Sequence, residues 1–166
     1  MSRPRRLVAA ALSLVRAAVA PAGRRPVPRR EPPPRRVPAG VDAEYRPRAD
    51  GRPDPGEVVW AWVPYDEGDG RGKDRPVLVV GRQGTDLVGL QLSSQDHDRD
   101  AADEARHGRT WMDVGRGGWD RQGRPSEVRL DRLLVLDPAG VRREGAAMDR
   151  AVFDRVVAAA GRVQGW

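Results

Sequence analysis

Five stretches of this chain carry the apolar patterning of β-strands, and one carries a helical stripe. Glu57-Val58-Val59-Trp60-Ala61-Trp62-Val63 is apolar at both alternating positions, which predicts a strand buried on two sides and a fold that begins at Gly56. Arg75-Pro76-Val77-Leu78-Val79-Val80 is a β-branched run suited to a central strand, led in by the glycine-rich charged segment Glu67 to Asp74. In Leu87 to Gln95, Val88, Leu90 and Leu92 alternate with Gly89, Gln91 and Ser93, so Ser93 lies beside Gln91 on the face away from the apolar residues. Thr110 to Val114 predicts a fourth strand. Glu127 to Leu136 predicts a long fifth one, whose alternation slips near Arg132 and implies a bulge or a change in burial.

The intervening segments read differently. Asp96 to Gly108 is charged, with a short helix expected over residues 101–106, and Gly115 to Pro125 is a loop rich in turn residues. Beyond Pro138 and Gly140, Asp149 is the expected N-cap of a helix. Its apolar stripe is Val152, Phe153, Val156, Val157 and Ala160. Short strands, polar loops and one terminal helix predict a small, mainly β barrel closed by a C-terminal α-helix.

Charge separates the chain into two parts. Residues 1–55 carry 13 arginines against 5 acidic residues, a net of +8, whereas residues 56–166 carry a net of −2. The overall +6 therefore belongs to a basic Pro/Arg-rich N-terminal tail, and it does not make residues 56–166 a basic nucleic-acid binder. Leu7 to Ala20 has the outline of a signal peptide interrupted by Arg16, with an amphipathic helix as the plain alternative, and it is too charged to span a membrane. From Pro21 to Pro55 the composition predicts a disordered linker whose arginines suit RNA, DNA or anionic lipid, a solvated charge run being the default. The absence of cysteine rules out disulfides and Cys-ligated metal and suits a reducing cytoplasm.

Few side chains outside the strands invite chemistry. Asp96-His97-Asp98 has metal or acid–base residue types, but such alternation in a charged loop more often forms an exposed turn, so no metal site is expected. His107 is lone and loop-borne. Trp60, Trp62 and Trp111 fall on strands and are expected in the core, while Trp119, among glycines, is the better candidate for stacking on a base. Arg75 and Ser93 stand at strand positions that let a guanidinium and a hydroxyl face one cleft. The competing reading pairs Arg75 with Asp74 or Glu67 on the surface.

In order along the chain, Gly56-Glu57-Val58-Val59-Trp60, Gly72-Lys73-Asp74-Arg75-Pro76-Val77-Leu78-Val79-Val80, Leu92-Ser93-Ser94-Gln95 and Pro125-Ser126-Glu127-Val128-Arg129-Leu130-Asp131-Arg132-Leu133 resemble the PemK/MazF toxins of type II toxin–antitoxin systems. The resemblance covers about residues 56–160. It implies an SH3-like barrel, usually a homodimer, that cuts single-stranded RNA without a metal or other cofactor and is silenced by a small cognate antitoxin protein. It also implies that Arg75 and Ser93 form the catalytic pair. Arg71, Lys73, Gln91, Ser94 and Trp119 are the accompanying substrate-binding candidates.

Those residue types suit the reaction. RNA carries its own nucleophile, the 2′-hydroxyl, so the enzyme has to align it and neutralise charge growing on the phosphate. Arginine offers a planar fork of donors, serine a hydroxyl, and arginine's high pKa makes charge stabilisation its natural role. Ser93 stands where the family more often has threonine, which preserves the hydroxyl, and Gln91 where it often has proline, which alters the cleft. The loop Arg71-Gly72-Lys73-Asp74 shifts the family's usual glycine by one residue and lacks an equivalent of the acidic residue often found there, so base preference does not transfer. The alternative from another class is a catalytically inactive nucleic-acid-binding or protein-interaction module with the same fold, which the acidic balance of residues 56–166 favours. Inhibition of DNA gyrase ranks third.

Overall fold

The computed structural model describes residues 42–95 and 101–166. The expected N-terminal helix, most of the expected linker and Asp96-His97-Asp98 lie outside them. Seven strands form one antiparallel sheet that curls into a half-barrel: β1 (Asp42–Ala43), β2 (Glu57–Pro64), β3 (Gly72–Gln83), β4 (Asp86–Ser93), β5 (Trp111–Gly115), β6 (Ser126–Leu136) and β7 (Arg143–Ala147). The order across the sheet is β5-β6-β4-β3-β2-β7, with β1 pairing on β3. Helix α1 (Ala101–Arg106) follows β4, and α2 (Arg150–Gln164) ends the chain. The mainly β, barrel-like fold with a C-terminal helix is thus as the patterning predicts. Among the described residues no helix is long and apolar enough to cross a membrane.

Both faces of the central strands are buried, which is why their sequences run continuously apolar. Val58, Leu78, Val80, Val88, Leu90, Leu92 and Val128 face α2, whose Phe153, Val156 and Ala160 complete that cluster. Val59, Ala61, Val63, Val77, Val79, Leu87, Leu134 and Leu136 form a second cluster on the opposite face. Each fully buried valine or leucine contributes on the order of 2 kcal/mol. Asp149 caps α2 as expected, its carboxylate accepting from Ala151 N at 2.9 Å and Val152 N at 3.2 Å.

Several expectations need correction. The fold begins before Gly56: Asp42 and Ala43 pair with Arg82 and Gly81, and the Tyr45 ring meets Phe153 edge-on at 5.2 Å while its hydroxyl donates to Met148 O at 2.8 Å. Gly56, at φ 99°, makes room for that ring, since a Cβ there would sit 2.7 Å from Tyr45 Cδ2. Gly72 to Asp74, expected in the lead-in loop, already belong to β3, and β7 has no counterpart in the apolar pattern. The tryptophans exchange roles. Trp119 is 4 % exposed and donates to Ser126 Oγ at 3.1 Å, so it is a core residue and presents no face to a base. Trp62 is 46 % exposed instead of buried, and Trp60 and Trp111 are half-buried.

Candidate active site

The register of β3 and β4 pairs Val77 with Gln91. Two residues further along each strand, antiparallel geometry sets Arg75 opposite Ser93, on the face that the second apolar cluster leaves open. Arg75, Gln91 and Ser93 all line one cleft of about 410 Å³. Alternation along two neighbouring strands is therefore enough to bring a guanidinium, an amide and a hydroxyl together. Ser93 is buried, and its Oγ accepts from Gln95 N at 3.1 Å, which leaves its proton to donate. Arg75 is half-buried and makes no ion pair among the described residues. Of the two surface partners proposed for it, Asp74 binds Arg142, and Glu67 lines the same cleft without an ion pair to Arg75 among the described residues. An unpaired guanidinium in a cleft beside a hydroxyl is a ready anion site.

The opposite wall is built from segments whose sequence gave less warning. Asp66, on the loop after β2, accepts from Arg129 Nη1 at 3.0 and 2.8 Å, from Arg132 Nη1 at 3.0 Å and from Arg109 Nε at 3.2 Å. Burial alone would raise the pKa of Asp66, but the hydrogen bond and charge of Arg129, with the charges of Arg132 and Arg109, outweigh it and hold the carboxyl below its ordinary range. Arg129 and Arg132 reach the cleft because β6 bulges: Leu90 faces Leu133 while Leu92 faces Val128, so two steps on β4 match five on β6. The slip in alternation near Arg132 was the visible trace of that bulge. Glu104 and Trp111 complete the wall, joined by a Trp111 Nε1 to Glu104 Oε2 bond of 2.8 Å.

The other expected substrate-binding residues stand apart from this cleft. Arg71 is exposed and tied to Asp69 at 2.5 Å, Lys73 is exposed, and Ser94 and the buried Trp119 do not line it. His107 lies on the surface with Nδ1 2.8 Å from Asp103 O. Among the described residues no group of three or more His, Cys, Asp and Glu side chains is placed to hold a metal ion.

A family model for the PemK-like, MazF-like toxins of type II toxin–antitoxin systems matches residues 54–163. The chain belongs to this family. The MazF of Deinococcus radiodurans aligns over 70 % of this chain and 100 % of its own, at 21 % identity and a TM-score of 0.50, and shares the PemK/MazF fold. MazF in the MazE–MazF complex of the same organism aligns at 20 % identity over 70 % of this chain and 98 % of its own, with a TM-score of 0.48. An endoribonuclease from a Mycobacterial species, solved with its cognate antitoxin, aligns at 16 % identity over 68 % and 95 % of the two chains, with a TM-score of 0.48. A search of curated protein sequences gave no match. The PemK/MazF match ends just short of the C-terminus and includes every residue of the cleft.

Proposed function

We propose that this PemK/MazF toxin is a cytoplasmic endoribonuclease that cuts single-stranded RNA without a metal, with Arg75 and Ser93 at the reacting phosphate. The observation that carries the reading is the cleft in which Arg75, unpaired among the described residues, stands with Ser93 and Gln91. The RNA 2′-hydroxyl gives up its proton to solvent as its oxygen attacks the neighbouring phosphorus, the bond to the 5′-oxygen breaks, and that oxygen takes a proton from solvent as it leaves. The products are a 2′,3′-cyclic phosphate and a 5′-hydroxyl. Arg75 donates to the non-bridging oxygens as negative charge accumulates there, and the Ser93 hydroxyl fixes the phosphate or the 2′-hydroxyl. Gln91 supplies an amide for the base or sugar beside the cut.

Two partners accompany this activity. A small cognate antitoxin covers the cleft and silences it, as expected for the toxin half of a pair, and the active form is a homodimer. The test is incubation of the full chain with a long single-stranded RNA in EDTA, with mapping of the new ends. Cuts that leave 5′-hydroxyl and 2′,3′-cyclic phosphate ends, and that vanish when the nucleotide 5′ to the cut is 2′-deoxy, support the reading. Intact RNA with folded protein refutes it.

A further inference from the structure

Three guanidinium groups, two from β6 and one from the loop between α1 and β5, converge on the single carboxylate of Asp66, and each has a second holder. Arg129 donates through Nε and Nη2 to Asp131, at 2.8 to 3.2 Å. Arg132 Nη1 also donates to Pro64 O at 2.8 Å, and Arg109 Nη1 donates to Glu104 Oε1 at 3.3 Å. The trio therefore keeps its pose if Asp66 departs. Asp131 and Glu104 offset two of the three positive charges, so departure of Asp66 leaves one net positive charge beside Arg75. A phosphodiester, with one negative charge and two free oxygens, makes the same demand on guanidinium forks as a carboxylate.

The segment that carries Asp66 is suited to moving away. Residues 65–71 are exposed, and Gly68 and Gly70 adopt φ of 65° and 80°. Asp66 binds Arg109, Arg129 and Arg132 while contributing no side chain to either apolar cluster.

We propose that Arg109, Arg129 and Arg132 form a second phosphate subsite for the single-stranded RNA, next to Arg75 and Ser93, and that Asp66 fills it in the free protein as an internal competitor which an RNA phosphate displaces. The proposal rests on the RNA-cleaving reading above and adds to it a built-in brake. RNA gains the trio only by releasing the loop, so a strand long enough to reach both phosphate positions is favoured over a short one.

Binding and cleavage are separated by a fully 2′-O-methylated single-stranded oligonucleotide, which lacks the nucleophile and is followed by fluorescence anisotropy with the full chain. Asp66→Asn removes the competitor's charge and is expected to tighten binding about three- to tenfold. Arg132→Gln is expected to weaken it by a similar factor and to reduce the slope of log affinity against log salt by about 0.7. Unchanged or weaker binding in an Asp66→Asn protein that keeps its thermal transition overturns the proposal. Unchanged affinity and salt slope in Arg132→Gln overturn it whether or not Asp66→Asn folds. The expected binding pattern in a protein that leaves unmodified RNA uncut supports the subsite and overturns only the nuclease reading.

Discussion

Replacing Arg129 with methionine tests the physical logic of the cleft wall. Methionine keeps most of the stem and removes the guanidinium that joins β6 to the loop after β2. The Arg129 side chain is 10 % exposed and that of Asp131 15 %, so this is a largely buried pair. Burial disfavours the Arg129 charge, but the hydrogen bonds it donates to Asp131 and Asp66, with their negative charges, more than offset this and raise its pKa further. Breaking a buried pair from one side costs about 3–5 kcal/mol, because the remaining charge is stranded. Here the stranding is incomplete. Asp131 keeps the Thr110 N–H at 2.8 Å, and Asp66 keeps Arg109 and Arg132. The expected loss is therefore about 2–3 kcal/mol, out of a typical total of about 5–15 kcal/mol, and the protein stays folded at 25 °C. Urea unfolding of Arg129→Met, Asp131→Asn and the double variant measures it. The two changes should couple by about 1–2 kcal/mol, since the second removes the charge that the first strands. A single-variant loss below about 1 kcal/mol, or full additivity, would show that the pair is solvated and that the wall is not held in this way.

Other consequences follow from the same contacts. Tyr45→Ala removes the ring against Phe153 and the bond to Met148 O, and should cost about 2–3 kcal/mol in thermal or urea unfolding; a neutral result would return residues 42–55 to the linker. Because the Asp66 pKa is depressed from its ordinary 3.8, its stabilising contribution is complete above that value and is lost as pH falls through the lower folded value. The stability difference between wild type and Asp66→Asn should thus be flat from about pH 7 to 5 and shrink only below about pH 4; a difference already shrinking at pH 6 would contradict the assignment. Gly89→Ala would put a Cβ 2.5 Å from Val77 Cγ1 and 2.8 Å from Leu78 O, so β3 must shift, with a loss of about 1–3 kcal/mol by denaturation and a displaced Arg75.

Period-two alternation carried much of the fold into view. It marked β2 to β4, placed Ser93 and Gln91 on one face, and made Arg75 their neighbour, because strand geometry is local. What stayed hidden depends on pairing between distant segments. Strand β7, Arg-Glu-Gly-Ala-Ala, has no apolar alternation and is a strand only because β2 offers it an edge. Residues 42–55 have the composition of a linker, yet Asp42 and Ala43 pair with β3 and Tyr45 packs into the core beside α2. Trp119 follows glycines, which reads as an exposed loop, yet Gly117 lies against its ring and the loop folds it inward. The Asp66 cluster joins residues 43 to 66 positions apart, and no spacing rule announces it. The slip at Arg132 gave the one hint, a bulge, without saying what the bulge delivers.

Whether Arg75 and Ser93 act on an RNA phosphate within this cleft is decided by single-turnover cleavage of one single-stranded RNA in EDTA by wild type, Arg75→Ala and Ser93→Ala, each shown to be folded. Loss of Arg75 should slow cleavage by about 10²–10³-fold, the scale of removing a donor aimed at developing charge, and loss of the Ser93 hydroxyl should also slow it, by about 10-fold or more. Cleavage at the wild-type rate in both variants would place the chemistry elsewhere and contradict the account.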